Sequence, residues 1–399
     1  MSPRRSLRHP ALLAALAVLV LAGGLWLGGH PGLLPGPVRA VFVADDVRTL
    51  QVALDTIEDD YYRRVDRDRL VDTGLEGAVG RLNDRFSAYL DPATYRRFEE
   101  AATGEFSGVG IEVNQVPEGL RVTRVFPGAP AARAGLRRGD RIIAVDGRSI
   151  AGRPFTVSTQ LIRGQPGTSV GLTVAGVRGR REVRVQRARI SAPSVTSLLR
   201  TGAGGRRYGV IALSSFTVGA HGEVRSAVRR LTERGARGFV LDLRGNGGGL
   251  LTEAVQVSSV FIADGVVVST DGRTQPRRVY RASGSAIDRR VPVVVLVDGD
   301  SASASEIVAG ALQDRRRARV IGVPTFGKGV FQRISELPNG GALDITVGEY
   351  FLPSGRNIGG GGIRRGRGIR PDGPARDRAG TRPDEGLDAA LRALAGARR

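Results

Sequence analysis

Three short segments of this sequence carry residue types that could perform acyl-transfer chemistry. The first is Val297-Asp298-Gly299-Asp300-Ser301-Ala302-Ser303-Ala304-Ser305-Glu306-Ile307. It reads as a strand, a sharp Asp-Gly-Asp turn, and small residues opening a helix. A serine displayed at such a turn sits where a helix N-terminus favours developing negative charge. Ser-Ala-Ser is equally ordinary helix-capping chemistry, and spacing alone does not choose among Ser301, Ser303 and Ser305. The second segment is Thr325-Phe326-Gly327-Lys328-Gly329-Val330-Phe331-Gln332. It contains the only lysine of the chain; all the others of the 60 basic residues are arginine. Lysine can lose its proton at an accessible pH and act as a base, which arginine cannot. An amine between glycines and beside aromatics can be desolvated, which lowers its pKa toward a useful range. If the segment is extended, Lys328, Val330 and Gln332 share one face. The third segment runs from Leu241 to Leu251, a buried-type strand leading into Gly245-Asn246-Gly247-Gly248-Gly249. Glycines let backbone N–H groups close on a ligand, as an oxyanion hole requires. The Gly-Lys-Ser/Thr of a P-loop is missing, which argues against a nucleotide.

Composition removes the rival chemistries. There is no cysteine, so disulfides, thiolate metal sites and a thiol nucleophile are excluded. Of the three histidines, His9 and His30 fall in the N-terminal region, leaving His221 for a folded domain. A histidine metal site is therefore not expected, nor is any metal or cofactor. His221 lacks a carboxylate or serine motif beside it in sequence and reads as a surface bystander.

The elements that must position these segments follow from pattern. At 399 residues, 41% hydrophobic and 25% charged, the chain can build two or three domains around real cores. Arg4, Arg5 and Arg8 precede an acid-free apolar run, Ala11 to Leu27, which reads as a signal anchor or signal peptide within residues 1–40. Seventeen residues as a helix span about 26 Å, close to a ~30 Å hydrocarbon core. An uncleaved anchor with positive charge inside is favoured, and either version places the remainder outside the cytoplasm. Residues 41–104 read as helical, closed by Asp91-Pro92. Residues 105–190 alternate short β-rich runs with Gly/Pro/Asp turns and one short helix near Ala129 to Gly135. From 191 to 382, apolar strands alternate with helical stretches. Tyr208–Leu213, Gly238–Leu243, Val291–Val297 and Arg319–Val323 are the strands; Gly222–Arg234 and Ser305–Asp314 are the helices. This is an α/β core. A β-run, Ala342–Phe351, follows, and Leu387, Leu391 and Leu394 mark an amphipathic helix in residues 383–399. The net charge of +21 points to anionic surfaces such as membrane headgroups. The arginines are scattered and aromatics are 5%, so nucleic acid is not expected.

Together the three segments resemble the core motifs of the carboxy-terminal processing (tail-specific) proteases, serine proteases with a Ser-Lys dyad. The β-rich region resembles their PDZ domain through Phe106-Ser107-Gly108-Val109-Gly110-Ile111, Pro127 to Leu136, Gly139-Asp140-Arg141-Ile142 and Arg163 to Thr168. Asn83 to Pro92 is similar to the segment preceding that domain, and Tyr350 to Ile358 to a later Tyr-x-x-Pro-Ser-Gly-Arg strand. The resemblance implies an α/β protease core of the ClpP/crotonase type with an inserted PDZ domain. It implies Ser303 as nucleophile, Lys328 as general base and Gln332 as the residue orienting the lysine. The oxyanion hole would use the backbone N–H of Ala304 and of Gly249 or, second, Gly248. Gly108, Val109, Gly110 and Ile111 would hold the carboxylate of a bound C-terminus, so the implied substrates are proteins with apolar C-terminal tails. A homo-oligomer is compatible with this. One departure stands out: Gly245-Asn246-Gly247 replaces the Asn-Asn-Pro of many relatives, which loosens the turn. The competing expectation is a membrane-tethered PDZ adaptor with a non-catalytic core; it would require loss of Ser303 or Lys328, and both are present.

Overall fold

The computed structural model describes residues 45–176, 179–202, 205–361, 366–375 and 384–396. The predicted anchor, Ala11 to Leu27, lies outside them. Among the described residues no helix is long and apolar enough to cross a membrane. The chain divides into two compact units, up to Asn83 and from Asp84 onward.

The first unit contains helices α1 (Asp45–Asp60) and α2 (Arg67–Gly80). Arg67 joins them, with ion pairs to Asp55 at 2.8 Å and Glu58 at 2.7 Å.

The second unit begins with strand β1 (Ala88–Leu90) and helix α3 (Pro92–Thr103). Here the structure differs from the sequence reading, because Asp91-Pro92 opens a helix and does not close one. Asp91 is the N-cap, accepting from Ala93 N–H at 2.9 Å and Thr94 N–H at 3.0 Å, and Pro92 stands at the first helical position. Proline has no N–H to lose there, so the pair is a start signal.

Strands β2 (Glu105–Gly108) and β9 (Ala188–Ser191) pair antiparallel as a stem. Between them lies the β-rich module: β3 (Ile111–Val116), β4 (Gly119–Val125), α4 (Pro130–Arg133), β5 (Arg141–Val145), β6 (Arg148–Ser149), α5 (Phe155–Ile162), β7 (Ser169–Gly176) and β8 (Gly179–Gln186). Its sheet runs β3-β4-β5-β7-β8 and closes over Leu120, Ile142, Leu172, Val174 and Val185.

The α/β core follows. Its sheet has the order β10 (Val195–Thr201), β11 (Arg207–Leu213), β12 (Phe239–Asp242), β15 (Val293–Val297), β16 (Arg319–Gly322) and β19 (Gly373–Pro374), parallel from β11 onward. Alternate residues serve opposite faces. Ile211, Leu241, Val295 and Val320 pack under α6 (Ala220–Glu233), α7 (Leu251–Ser259) and α8 (Ala304–Asp314). Val210, Val240, Val294 and Ile321 pack against Leu387, Leu391 and Leu394 of α9 (Glu385–Ala395). Burial on both faces is why these strands read as continuous apolar runs.

A second sheet joins distant segments. β18 (Ala342–Phe351) pairs with β1, with β13 (Val266–Asp271) and with β17 (Val330–Glu336); β14 (Arg278–Arg281) adds to β13. Its register sets Ala88 opposite Asp344 and Gln332 opposite Thr346, which brings residues 84–90 to the lysine segment.

Replacing Asp91 by alanine is expected to lower the unfolding free energy by about 1 kcal/mol. The hydrogen bonds from Thr94 and Ala93 hold the Asp91 carboxyl below the usual range. That stabilisation is present above the unfolded carboxyl pKa and is lost as pH falls through the folded one. Denaturant melts of both proteins should therefore converge in acid; equal stability at neutral pH would contradict the cap.

Candidate active site

Strand β15 ends at Val297, and the chain turns through Asp298 to Ser303 before α8 begins. Asp298 holds the turn: its carboxylate accepts from the N–H groups of Gly245, Asp300 and Ser301 at 2.9–3.1 Å. Ser301 Oγ donates to Leu243 O at 2.8 Å and Ser305 Oγ donates to Asn246 O at 2.8 Å, both fully buried. These two hydroxyls therefore bind the turn to the glycine loop. Ser303 is different. It caps α8 with φ 55 and ψ −111, a left-handed backbone that a serine rarely adopts. A strained residue between a strand and a helix is how a nucleophilic hydroxyl is displayed at the head of a sheet.

One carboxylate connects this serine to the lysine. Glu306, fully buried at the third position of α8, accepts from Ser303 N–H at 2.8 Å and Lys328 N–H at 2.9 Å, both on Oε2. Its Oε1 accepts from Gly327 N–H at 2.7 Å and Thr325 Oγ1 at 2.6 Å. Burial pushes the Glu306 carboxyl up, and these four donors oppose the shift. The serine turn and the lysine loop thus share one acceptor.

The lysine side chain has its own surroundings. Lys328 Nζ stands 4.6 Å from the centre of the Phe86 ring. Burial lowers its pKa, while the carboxylates of Asp344, Asp84 and Glu306 pull the other way. Asp84 accepts from Ser87 Oγ at 2.7 Å and Phe86 N–H at 3.1 Å. Burial alone would raise its carboxyl; those bonds, the Thr346 hydroxyl and the Lys328 charge together hold it below the usual range. Gln332 donates to Thr346 Oγ1 at 3.1 Å, so it reaches the lysine's neighbourhood through Thr346 and Asp84. A bulge in the partner strand, with Val347 of β18 as its extra residue, sets Gln332 opposite Thr346. In this structure no hydrogen bond joins Ser303 Oγ to Lys328 Nζ or Lys328 to Gln332.

The glycine loop closes over the serine. A Cβ on Gly248 (φ 114) would lie 3.0 Å from Ser303 Cβ, and one on Gly249 (φ 140) would lie 2.5 Å from Phe216 O. Despite Gly245 and Gly247, the loop is tied down. Asn246 is fully buried, donating to Leu213 O at 2.8 Å and accepting from Gly248 N–H at 2.9 Å and Ala302 N–H at 3.1 Å. The Gly248 N–H is therefore occupied. Gly249 N–H has no acceptor among the described residues, and Ala304 N–H is a first-turn donor that α8 itself leaves free.

Three neighbours escaped the sequence reading. Tyr350 is buried, which pushes its phenol up; an interaction with the Ser303 side chain pulls the other way. Asp84 and Phe86 come from the segment before the β-rich module. His221 is not a bystander: its Nδ1 lies 2.8 Å from Oε2 of buried Glu253, which also accepts from the N–H groups of Gly219 and His221 at 2.9 Å. The pair fastens α6 to α7. In the β-rich module, Gly108 to Ile111 form the turn from β2 to β3 at one end of a cavity of about 460 Å³, lined also by Phe155, Thr159, Ile162 and Arg163. The N–H groups of Val109 and Gly110 meet no acceptor among the described residues.

Known proteins match these parts. Residues 207–372 match peptidase family S41, 121–176 a PDZ domain, and 39–94 the N-terminal domain of the activating protease CtpB. The class is thereby that of a serine endopeptidase with a PDZ domain. The chain is 30% identical over 366 residues to a Staphylococcus haemolyticus protein named as a CtpA-like serine protease, covering 90% of this chain and 71% of the other. It is 32% identical over 366 residues to the carboxy-terminal processing protease CtpA of Bacillus subtilis, covering 90% and 77%. It spans 62% of the length of a Staphylococcus aureus CtpA-like relative. The crystal structure of a Bacteroides fragilis protein assigned to the S41 proteases shares the fold, with a TM-score of 0.52 at 19% identity over 85% of this chain and 92% of that one. The chain belongs to the CtpA-like carboxy-terminal processing proteases of family S41.

Glu306→Gln should expose the role of the shared carboxylate. An amide presents its NH₂ to donors, leaving at least one buried N–H unpaired at a cost of about 2 kcal/mol. Unfolding measurements should show that loss together with a fall in peptidase activity; a variant with wild-type activity would contradict it.

Proposed function

We propose that this protein cleaves other proteins after capturing their apolar C-terminal tails, with Ser303 as nucleophile and Lys328 as base. The observation that carries the reading is the convergence of Ser303 N–H and Lys328 N–H on one oxygen of buried Glu306. A lysine in that position, half-buried and with its pKa lowered by burial, has a neutral amine available at lower pH than an ordinary lysine. The amine takes the Ser303 proton as Oγ adds to the peptide carbonyl. The oxyanion is met by the N–H groups of Ala304 and Gly249. When the tetrahedral species collapses, the C–N bond breaks and the departing amine receives the proton from Lys328. Water, deprotonated by the same lysine, then hydrolyses the acyl-enzyme. Gln332 acts as a positioning residue through Thr346 and Asp84.

The PDZ module accounts for tail recognition. An extended C-terminus would add to β3, in the groove between that strand and α5. Its carboxylate would meet the free N–H groups of Val109 and Gly110, with Gly108 and Ile111 framing the turn and the Arg163 guanidinium at the rim. The apolar lining, Phe106, Phe155 and Ile162 among it, suits an apolar tail. The N-terminal arginines and apolar run support placement outside the cytoplasm, tethered to the membrane. The domain boundaries given above remain part of this proposal.

Two measurements test the reading. Lys328→Arg and Ser303→Ala should each abolish cleavage of a reporter protein bearing an apolar tail, with folding intact, because guanidinium cannot serve as a base. Equal cleavage by wild type and Lys328→Arg would overturn the dyad, and cleavage indifferent to the last few residues would overturn tail capture. In wild type, kcat/KM should rise with pH along the neutral-amine fraction, with a midpoint below the ordinary lysine value of about 10.4. A rate flat in pH would exclude Lys328 as the base.

A further inference from the structure

A cavity of about 480 Å³ lies beside the glycine loop and is not used by the mechanism above. Tyr95, Phe98 and Ala102 of α3 form one wall, Ile334 of β17 another, and Val218 and Leu250 the floor. Leu250 directly follows Gly249, the glycine with the free N–H. A smaller cavity shares Thr103 and Val218 with this one and shares Ala192 with the PDZ groove. A track from the PDZ turn to the Gly249 loop would run along these shared walls. A substrate whose C-terminus lies in the PDZ groove would travel this track from its end toward the scissile bond. Whatever fills the cavity thus belongs to the C-terminal side of that bond.

Its charge is the unexpected part. The chain carries 60 basic against 39 acidic residues, yet the charged residues lining this cavity are Glu99 and Glu336. Both are exposed, and neither forms a salt bridge among the described residues. The Tyr95 hydroxyl lies at Glu336, donating to Oε1 at 3.0 Å; burial, the Glu336 bond and the Glu99 charge all push its pKa up. Two carboxylates thus flank an apolar wall with no arginine claiming them.

We infer that this cavity is a specificity subsite on the leaving-group side, which takes a substrate side chain with an apolar stem and a cationic end, arginine or lysine. The stem would lie along Phe98, Val218 and Leu250 while the charge reaches Glu99 and Glu336, the way long basic side chains divide between apolar and polar surroundings. The inference rests on the proteolytic reading above.

The test uses the full-length chain and reporters with one apolar tail, carrying Arg, Leu or Glu at successive positions between the cleaved bond and the tail. Wild type should favour Arg over Glu by about tenfold in kcat/KM at one of these positions, and less at high salt. In the Glu99→Gln/Glu336→Gln double variant that ratio should collapse toward one. A second readout needs no catalysis: the same peptides titrated onto the Ser303→Ala chain, with and without the two substitutions, by fluorescence anisotropy. An Arg preference abolished by the carboxamides supports the subsite. No preference in wild type, or one unaffected by the substitutions, overturns it. If Ser303→Ala still cleaves while the binding preference behaves as expected, the proposed nucleophile fails and the subsite stands.

Discussion

The site depends on a carboxylate that does no chemistry of its own. Glu306 is fully buried and draws its four hydrogen bonds from the serine turn and the lysine loop, which are joined also by Phe326 N–H donating to Ser301 O at 3.0 Å. An unpaired buried carboxylate would be costly, so the two loops are obliged to meet it together. This couples the strained backbone of Ser303 to the path of the lysine loop. It also places a negative charge near the lysine, which opposes the burial that lowers the amine's pKa. The Lys328 pKa is thus set by a balance, in which desolvation leads and the carboxylates of Asp344, Asp84 and Glu306 temper it.

The two sheets divide the labour. The parallel sheet, packed on both faces, fixes the ends of β12 and β15, from which the glycine loop and the serine turn emerge side by side. The second sheet brings the lysine. Through β18 it also brings β1, and with it Asp84 and Phe86, to the amine. A residue far earlier in the chain therefore acts on the Lys328 amine, and the PDZ stem begins only a helix later, at Glu105.

Much of this was legible in the residues. The lone lysine, the serine turn and the glycine loop could each be picked out by type and spacing, and the continuous apolar runs marked the parallel strands. What stayed hidden was long-range. Glu306 reads as an ordinary acidic residue in a first helical turn, and only the fold shows four donors on it. Asp84 and Phe86 reach Lys328, and Thr346 reaches Gln332, through strand pairing that no periodicity encodes. Gln332 stands opposite Thr346 across a bulge in β18, a pairing its own segment does not reveal. Asp91-Pro92 was ambiguous in kind, since the same dipeptide can end one element or begin the next. His221 looked isolated because its partner, Glu253, lies on a different helix. The net charge of +21 gives no sign of Glu99 and Glu336 lining a cavity beside the Gly249 loop.

The proposed chemistry needs burial to keep the Lys328 amine available as a base. Because Lys328 is the only lysine in the chain, selective isotope labelling of lysine gives one side-chain resonance from this residue alone. Its pH titration by NMR in the folded Ser303→Ala protein reads the amine directly. The account predicts a midpoint below the ordinary lysine value of about 10.4. A midpoint at or above that value would contradict it.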